Sequence, residues 1–247
     1  MNPEPRKIRT TAVLMVTAAV LLNVAFAGLG AVFVYPDVLK HPAGDVLAAV
    51  RDSQFAVTTW VLALALGAAM LAPVAVGVGR LSGSRAMRWA VPVGVAAAVV
   101  QVVGLLRWPL LVPGWAAADA GADPAAATAA RGAFDTANLV LGNLIGETGG
   151  YLLTAAWTGL VLAALGTAFA GRLFVVLGGV SAVLILAGVL SPLGSSLVDL
   201  ANFAGYVLWS GWLVVFAVVL VVQQRRRAAG RVTTDTAAAT DAGTVTR

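Results

Sequence analysis

Apolar and polar positions in this chain do not alternate. They are sorted into long apolar runs with short polar interruptions, the runs covering residues 11–35, 55–78, 89–106, 138–170, 173–190 and 197–222. About 20 apolar residues in a helix rise ~30 Å, the thickness of a bilayer's hydrocarbon core, so each run reads as a spanning helix. The fourth would reach ~50 Å if wholly helical. That is too long for an upright crossing, and its first two turns must protrude, tilt or break.

The interruptions carry chemical stop signals. Tyr35-Pro36-Asp37 and Ser191-Pro192-Leu193-Gly194 end helices because proline lacks an N–H and disfavours a helical residue before it. Arg80 with Ser82-Gly83-Ser84 makes a tight basic turn, Arg172 closes the fourth run, and Trp108-Pro109 stands where an interfacial aromatic belt belongs. Between the first two runs, Val46, Leu47 and Val50 sit at helical spacing and predict a short interfacial helix. Residues 116–131 form an Ala-rich outer loop, expected to be partly helical. Ala25-Phe26-Ala27 after Arg6, Lys7 and Arg9 looks like a signal-peptidase site, but the apolar run continues past it, so a retained first span is expected.

The expected fold is therefore all-α: a polytopic six-helix membrane bundle over residues 11–222, between a short basic N-terminus (1–10) and a polar Ala/Thr tail (223–247) expected to be disordered. With six spans both termini share one side. That side holds twelve of the Lys and Arg residues, among them Arg80, Arg85, Arg88, Arg172 and Arg225–Arg227, while the opposite loops hold only Lys40, Arg51, Arg107 and Arg131. The positive-inside rule then puts both termini in the cytoplasm.

Composition agrees. The chain is 60% hydrophobic and 11% charged over 247 residues, with a mean hydropathy of +0.92, whereas soluble domains carry about 25% charged residues. With no cysteine and one histidine (His41), disulfides, thiolate nucleophiles, Cys-ligated metals, a His-cluster metal site and a histidine triad within one chain are excluded. No P-loop, GxSxG, HExxH or dinucleotide fingerprint is present, and no cofactor or metal is expected. The formal charge of +5 lies in short loops and the tail, which points to anionic membrane lipid rather than nucleic acid as the partner. Fourteen arginines against two lysines, with much Ala, Val and Gly, fit a GC-rich bacterial coding bias, and a multi-pass chain from such a source is expected in the bacterial plasma membrane.

The stretch with chemistry is 134–157, FDTANLVLGNLIGETGGYLLTAAW, an apolar run that carries Asp135, Asn138, Asn143 and Glu147. Helical spacing puts Asn143, Glu147 and Tyr151 on one stripe, and Asp199, Asn202 and Tyr206 on a second. Gln101 and Arg107 lie about a turn and a half apart on the third run. An isolated charge in hydrocarbon costs several kcal/mol, so Arg107, Glu147 and Asp199 must be paired or face a wet cavity. Gln101, Arg107, Asn143, Glu147, Tyr151, Asp199 and Asn202 are accordingly the candidate ligand-binding residues of an outward-facing polar pocket. The same residues also admit a purely structural role: Arg107 paired with Glu147 as an interhelical staple or snorkelling to headgroups, and Asp199 capping a helix. Gly142, Gly146 and Gly150 form a small-residue stripe suited to close helix packing, and Gly28 and the Gly178-Gly179 pair read the same way. Asn23 is expected to make one interhelical hydrogen bond.

Three stretches, YPDVLKHPAGDVL, QVVGLLRWPLLVP and NLVLGNLIGETGGYLLTAAWTGL, resemble a bacterial family of six-span membrane proteins known as domain of unknown function 4386. The most specific residues are Gln101, Arg107, Trp108, Pro109, Gly146, Glu147, Gly149 and Tyr151. The resemblance implies a six-helix fold over residues 11–222 and brings no activity with it. Three functions stay open at the level of sequence. The chain binds or moves a small molecule or lipid through an outer-leaflet pocket; or it is an accessory subunit whose Gly-rich face packs a partner helix or another copy; or it is an intramembrane enzyme using Glu147 or Asp199. An open cavity around Glu147 favours the first, and an exposed glycine stripe the second.

Overall fold

Helix formation follows the apolar runs. The computed structural model describes residues 5–244, with side chains from residue 6 to residue 226, and every regular element among them is helical. The long elements are α1 (Pro5–Phe33), α2 (Ala43–Ala69), α3 (Leu71–Val78), α4 (Arg85–Leu110), α5 (Val112–Asp119), α6 (Pro124–Ala137), a π-helical segment (Asn138–Gly149), α7 (Gly150–Ala187) and α8 (Ser196–Thr244). Polar caps start two of them. The Ser84 hydroxyl accepts from the Met87 N–H, and the Asp123 carboxylate accepts from the Ala125 N–H just ahead of α6.

Five helical runs are long and apolar enough to cross a membrane. Only 28–44% of their most apolar windows is buried in protein, so most of that surface faces outward and needs hydrocarbon around it. Phe55, Leu173 and Val183 are examples, fully on the outside.

The fourth of these runs, 124–193, does not go straight. Gly166 (φ 60°), Ala170 and Gly171 (φ 80°) leave the helical conformation inside α7. A Cβ placed on Gly178 would touch Leu162 at 3.2 Å, and the Phe169 and Phe174 rings are 5.4 Å apart. In a straight helix residues 162 and 178 would be ~24 Å apart. The chain therefore folds back on itself where the sequence places the boundary between its fourth and fifth apolar runs. Gly166 and Gly171 combine positive φ with ψ near 180°, a region that only glycine enters readily.

Other elements differ from the sequence reading. Val46, Leu47 and Val50 lie on a helical segment, as their spacing predicts, but their side chains are turned into the protein. They belong to the start of α2, which bends at Ser53 and buries them in protein with Phe33, Trp108 and Phe134. The Ala-rich loop is mostly helix, as α5 and α6. Gly178 packs against the Trp212 indole, but its neighbour Gly179 faces open space. Gly28 sits under the Trp60 ring, as its small size suggested. α8 continues through residues 223–244, where the sequence suggests a disordered tail; residues 1–4 and 245–247, and the side chains beyond Arg226, lie outside the described residues.

Two apolar clusters hold the helices. One is aromatic, with Trp157, Trp212, Phe174 and Phe216 from α7 and α8 stacked at 5.1–6.0 Å and Met15 and Met87 closing it. The other gathers Leu29, Phe33, Trp108 and Phe134 at the opposite end. α1 packs on α2 and α8, α4 on α2, α7 and the π-helical segment, and α7 on α8. The ring so formed is not filled to its centre.

Candidate functional site

The hollow at the centre is a cavity of about 770 Å³, lined from α1, α2, α3, α4, the π-helical segment, α7 and α8. All seven candidate residues, Gln101, Arg107, Asn143, Glu147, Tyr151, Asp199 and Asn202, line it. The π-helical segment is what delivers three of the polar groups. It carries Asn138, Asn143 and Glu147 along one inner seam, and π-type widening of a helix occurs frequently at functional sites.

The glycine stripe seats that segment on α4. A Cβ on Gly104 would stand 2.6 Å from the Gly146 Cα, one on Gly142 2.7 Å from an Arg107 Nη, and one on Gly150 2.9 Å from the Gln101 Cγ. Gln101, Gly104 and Arg107 thus meet Gly150, Gly146 and Gly142 in antiparallel order. The packing role expected for the stripe is fulfilled inside the molecule, by α4.

Arg107 is 5% exposed. Its Nη1 donates to the Gly104 carbonyl and its Nη2 to Asn138 Oδ1 at 2.9 Å, while the guanidinium lies 5.2 Å from the Trp108 ring centre. Its Nε, also buried, has no hydrogen-bond partner. The expected staple is not made: among the described residues no ion pair within 4 Å joins Arg107 to Glu147, although each lies within electrostatic reach of the other. The reason is geometric. Asn138 and the Gly104 carbonyl hold the guanidinium at its own end of the seam, and Tyr35 stands beside it. Glu147 has no hydrogen-bond or ion-pair partner among the described residues; nor do the side chains of Asn143 and Tyr151 have a hydrogen-bond partner there.

The other candidates are partly committed. Gln101 Nε2 donates to the Ala97 carbonyl at 3.0 Å and to Thr154 Oγ1 at 3.3 Å. Asn202 Nδ2 donates to the Ile185 carbonyl at 2.8 Å, tying α8 to the second half of α7 and leaving the amide oxygen for the cavity. Asp199 lies in the first turn of α8 and faces Lys40 Nζ at 3.5 Å. Lys40 also pairs with Asp37 at 2.8 Å, and that carboxylate holds its ammonium above the ordinary lysine range.

Sequence reasoning missed Lys40, Tyr35 and Asn138 as parts of this wall. Lys40 and Tyr35 lie in the connection after α1, whose path no periodicity reveals. Asn138 was visible as a polar interruption of an apolar run but carried no partner signal. Asn23 behaves as expected, donating to Ser210 Oγ at 2.8 Å across to α8, and it too lines the cavity.

Below the polar end the walls turn apolar: Ala18 and Leu22 from α1, Leu71 and Val74 from α3, Leu213 from α8. Compared with family models, with curated proteins and with solved structures, the chain matches none.

Proposed function

We propose that this chain is a six-span protein of the bacterial plasma membrane, its termini cytoplasmic, whose central cavity, polar at its outer end, binds or moves a small molecule or lipid. The fold-back inside α7 supports the sixth span by dividing the fourth long run in two. The asymmetry of Lys and Arg supports the orientation. The same span count is what the family resemblance implies.

One observation carries the functional reading. Arg107 and Glu147 line a single cavity of about 770 Å³ and feel each other's charge, yet among the described residues neither is closed into an ion pair within 4 Å. A cavity of several hundred Å³ with a few convergent polar groups is the usual form of a small-molecule site. Two opposite charges that face one cavity without closing into contact leave much of their hydrogen-bonding capacity unused, which an occupant between them can take up. The accessory-subunit reading loses its main support, because the glycine stripe is already covered by α4.

The test is thermal unfolding of the full chain in lipid nanodiscs against anionic, cationic, zwitterionic and neutral compounds. At least one is expected to raise the unfolding temperature saturably, since a ligand at 100 times its Kd adds about 2.7 kcal/mol of stability. Asn143→Trp, which fills the polar end, should abolish the shift. If no compound stabilises the protein and native mass spectrometry finds no co-purifying molecule, the reading is wrong.

A further inference from the structure

Building on that reading, we propose that the occupant is a zwitterionic amphiphile. Its head places a phosphate on Arg107 and an ammonium at Glu147, and its acyl chain lies in the apolar half of the cavity toward Leu213.

The head follows from the charges. Arg107 offers five N–H donors in a fixed fork, and the acceptors that face them among the described residues, the Gly104 carbonyl, Asn138 Oδ1 and the Tyr35 hydroxyl, are all neutral. A buried guanidinium of this kind matches a phosphate or carboxylate oxygen. Glu147, one step along the same wall, is a bare carboxylate site, and it matches a cation. Were the ligand simply anionic, Glu147 would repel it; were it simply cationic, Arg107 would. A head carrying both signs a few ångströms apart satisfies both side chains at once. The Tyr151 and Tyr206 rings, 5.9 Å apart, add aromatic faces on which an ammonium is stabilised. At the mouth Lys40 is shared between Asp37 at 2.8 Å and Asp199 at 3.5 Å, which leaves that end with an excess of negative charge and favours the ammonium side of the head.

The tail follows from the shape. Along α8 the lining runs from Asp199 to Leu213, fourteen residues or roughly 21 Å of helix. One leaflet of hydrocarbon is about 15 Å thick. The cavity is therefore as deep as one headgroup plus one leaflet's chain, polar at the end where a headgroup would sit and lined mainly by Ala18, Leu22, Leu71, Val74 and Leu213 at the other, where Asn23 and Ser210 are bonded to each other. A small polar solute would leave that lower half unfilled.

The experiment titrates the full chain in nanodiscs by native mass spectrometry with four probes. These are lysophosphatidylethanolamine, lysophosphatidylglycerol (the same phosphate without the ammonium), an alkyl maltoside of equal chain length, and phosphoethanolamine alone. The expected order is lysophosphatidylethanolamine first, with lysophosphatidylglycerol weaker by roughly 10-fold or more, the worth of one hydrogen bond to a charged group. Glu147→Gln should erase that difference, and Arg107→Gln should weaken both phosphate probes. Ala18→Leu, which fills the deep end, should move the preferred chain length down while leaving the head preference unchanged. If Arg107→Gln does not fold, the Glu147→Gln and Ala18→Leu arms decide alone.

Equal binding of the two lysophospholipids by the unaltered protein, or a preference that survives Glu147→Gln, overturns the zwitterionic head. Binding of phosphoethanolamine alone as tight as the whole lipid, with no chain-length dependence, overturns the amphiphile and leaves a small-molecule site. Stabilisation by some other class with none of the four probes bound overturns this proposal but not the cavity's role. Stabilisation by nothing removes both.

Discussion

At the scale of single residues, one carboxylate ties three helices together. Asp119, 4% exposed at its side chain, accepts from Arg131 Nε at 2.6 Å and from Arg51 Nη1 at 3.0 Å, joining the end of α5 to α6 and α2. Arg51 also donates to the Ala116 carbonyl. Asp119→Ala should destabilise the fold by about 1–2 kcal/mol, less than a buried pair because both arginines remain partly solvated. The measurement is thermal unfolding in detergent, and an unchanged midpoint would show that the clamp contributes nothing. Which residues would meet was legible here only in part. Spacing alone placed Asn143, Glu147 and Tyr151 on one wall and Asp199 and Asn202 on another, because helical stripes are local geometry. That Arg107 would turn to Asn138 instead of Glu147 was not legible, since a few degrees of helix rotation decide it. Nor was the commitment of Asn202 to a carbonyl seventeen residues earlier.

At the scale of elements, α4 meets the π-helical segment backbone to backbone at Gly104 and Gly146. A side chain there has no flexible neighbour to displace. Gly104→Ala should therefore lower stability by roughly 1–3 kcal/mol, the usual cost of overpacking. Gly159→Ala, in open space on α7, should be neutral or slightly stabilising, since alanine is the better helix former. Unfolding curves of the two variants side by side separate the joint from a general intolerance of larger residues. The small-residue stripe was readable in the sequence, and so was its role as a packing face. Its partner was not, because glycine marks only that something comes close. The widened helix over 138–149 left no readable signal either, as its residues fit an α-helical pattern equally well.

At the scale of the whole molecule, the apolar runs made the fold class legible, because a bilayer tolerates little besides satisfied helices. What the pattern could not carry was the path of the connections, which is why the helices expected at the start of α2 and in the Ala-rich segment came out, but not the burial of Val46, Leu47 and Val50 against Trp108 and Phe134. The absence of cysteine makes the orientation directly measurable. Single cysteines at Ser82 and Arg172 should react with an impermeant thiol reagent only from the cytoplasmic side, and those at Ala122 and Ser195 only from outside. Labelling of Arg172→Cys and Ser195→Cys from the same side would remove the crossing by residues 173–190 and with it the count of six.

The fold-back in α7 has a bearing on how such a chain reaches its bilayer. Between Gly166 and Gly171 the reversal is made by Thr167, Ala168, Phe169 and Ala170, with the lone charge of Arg172 just beyond. There is no hydrophilic loop that could wait in water while one half was inserted and the other still being synthesised. The two arms, already touching through Leu162 and Gly178 and through Phe169 and Phe174, have every reason to leave the insertion machinery together, as a hairpin whose inner faces are dry before any other helix arrives.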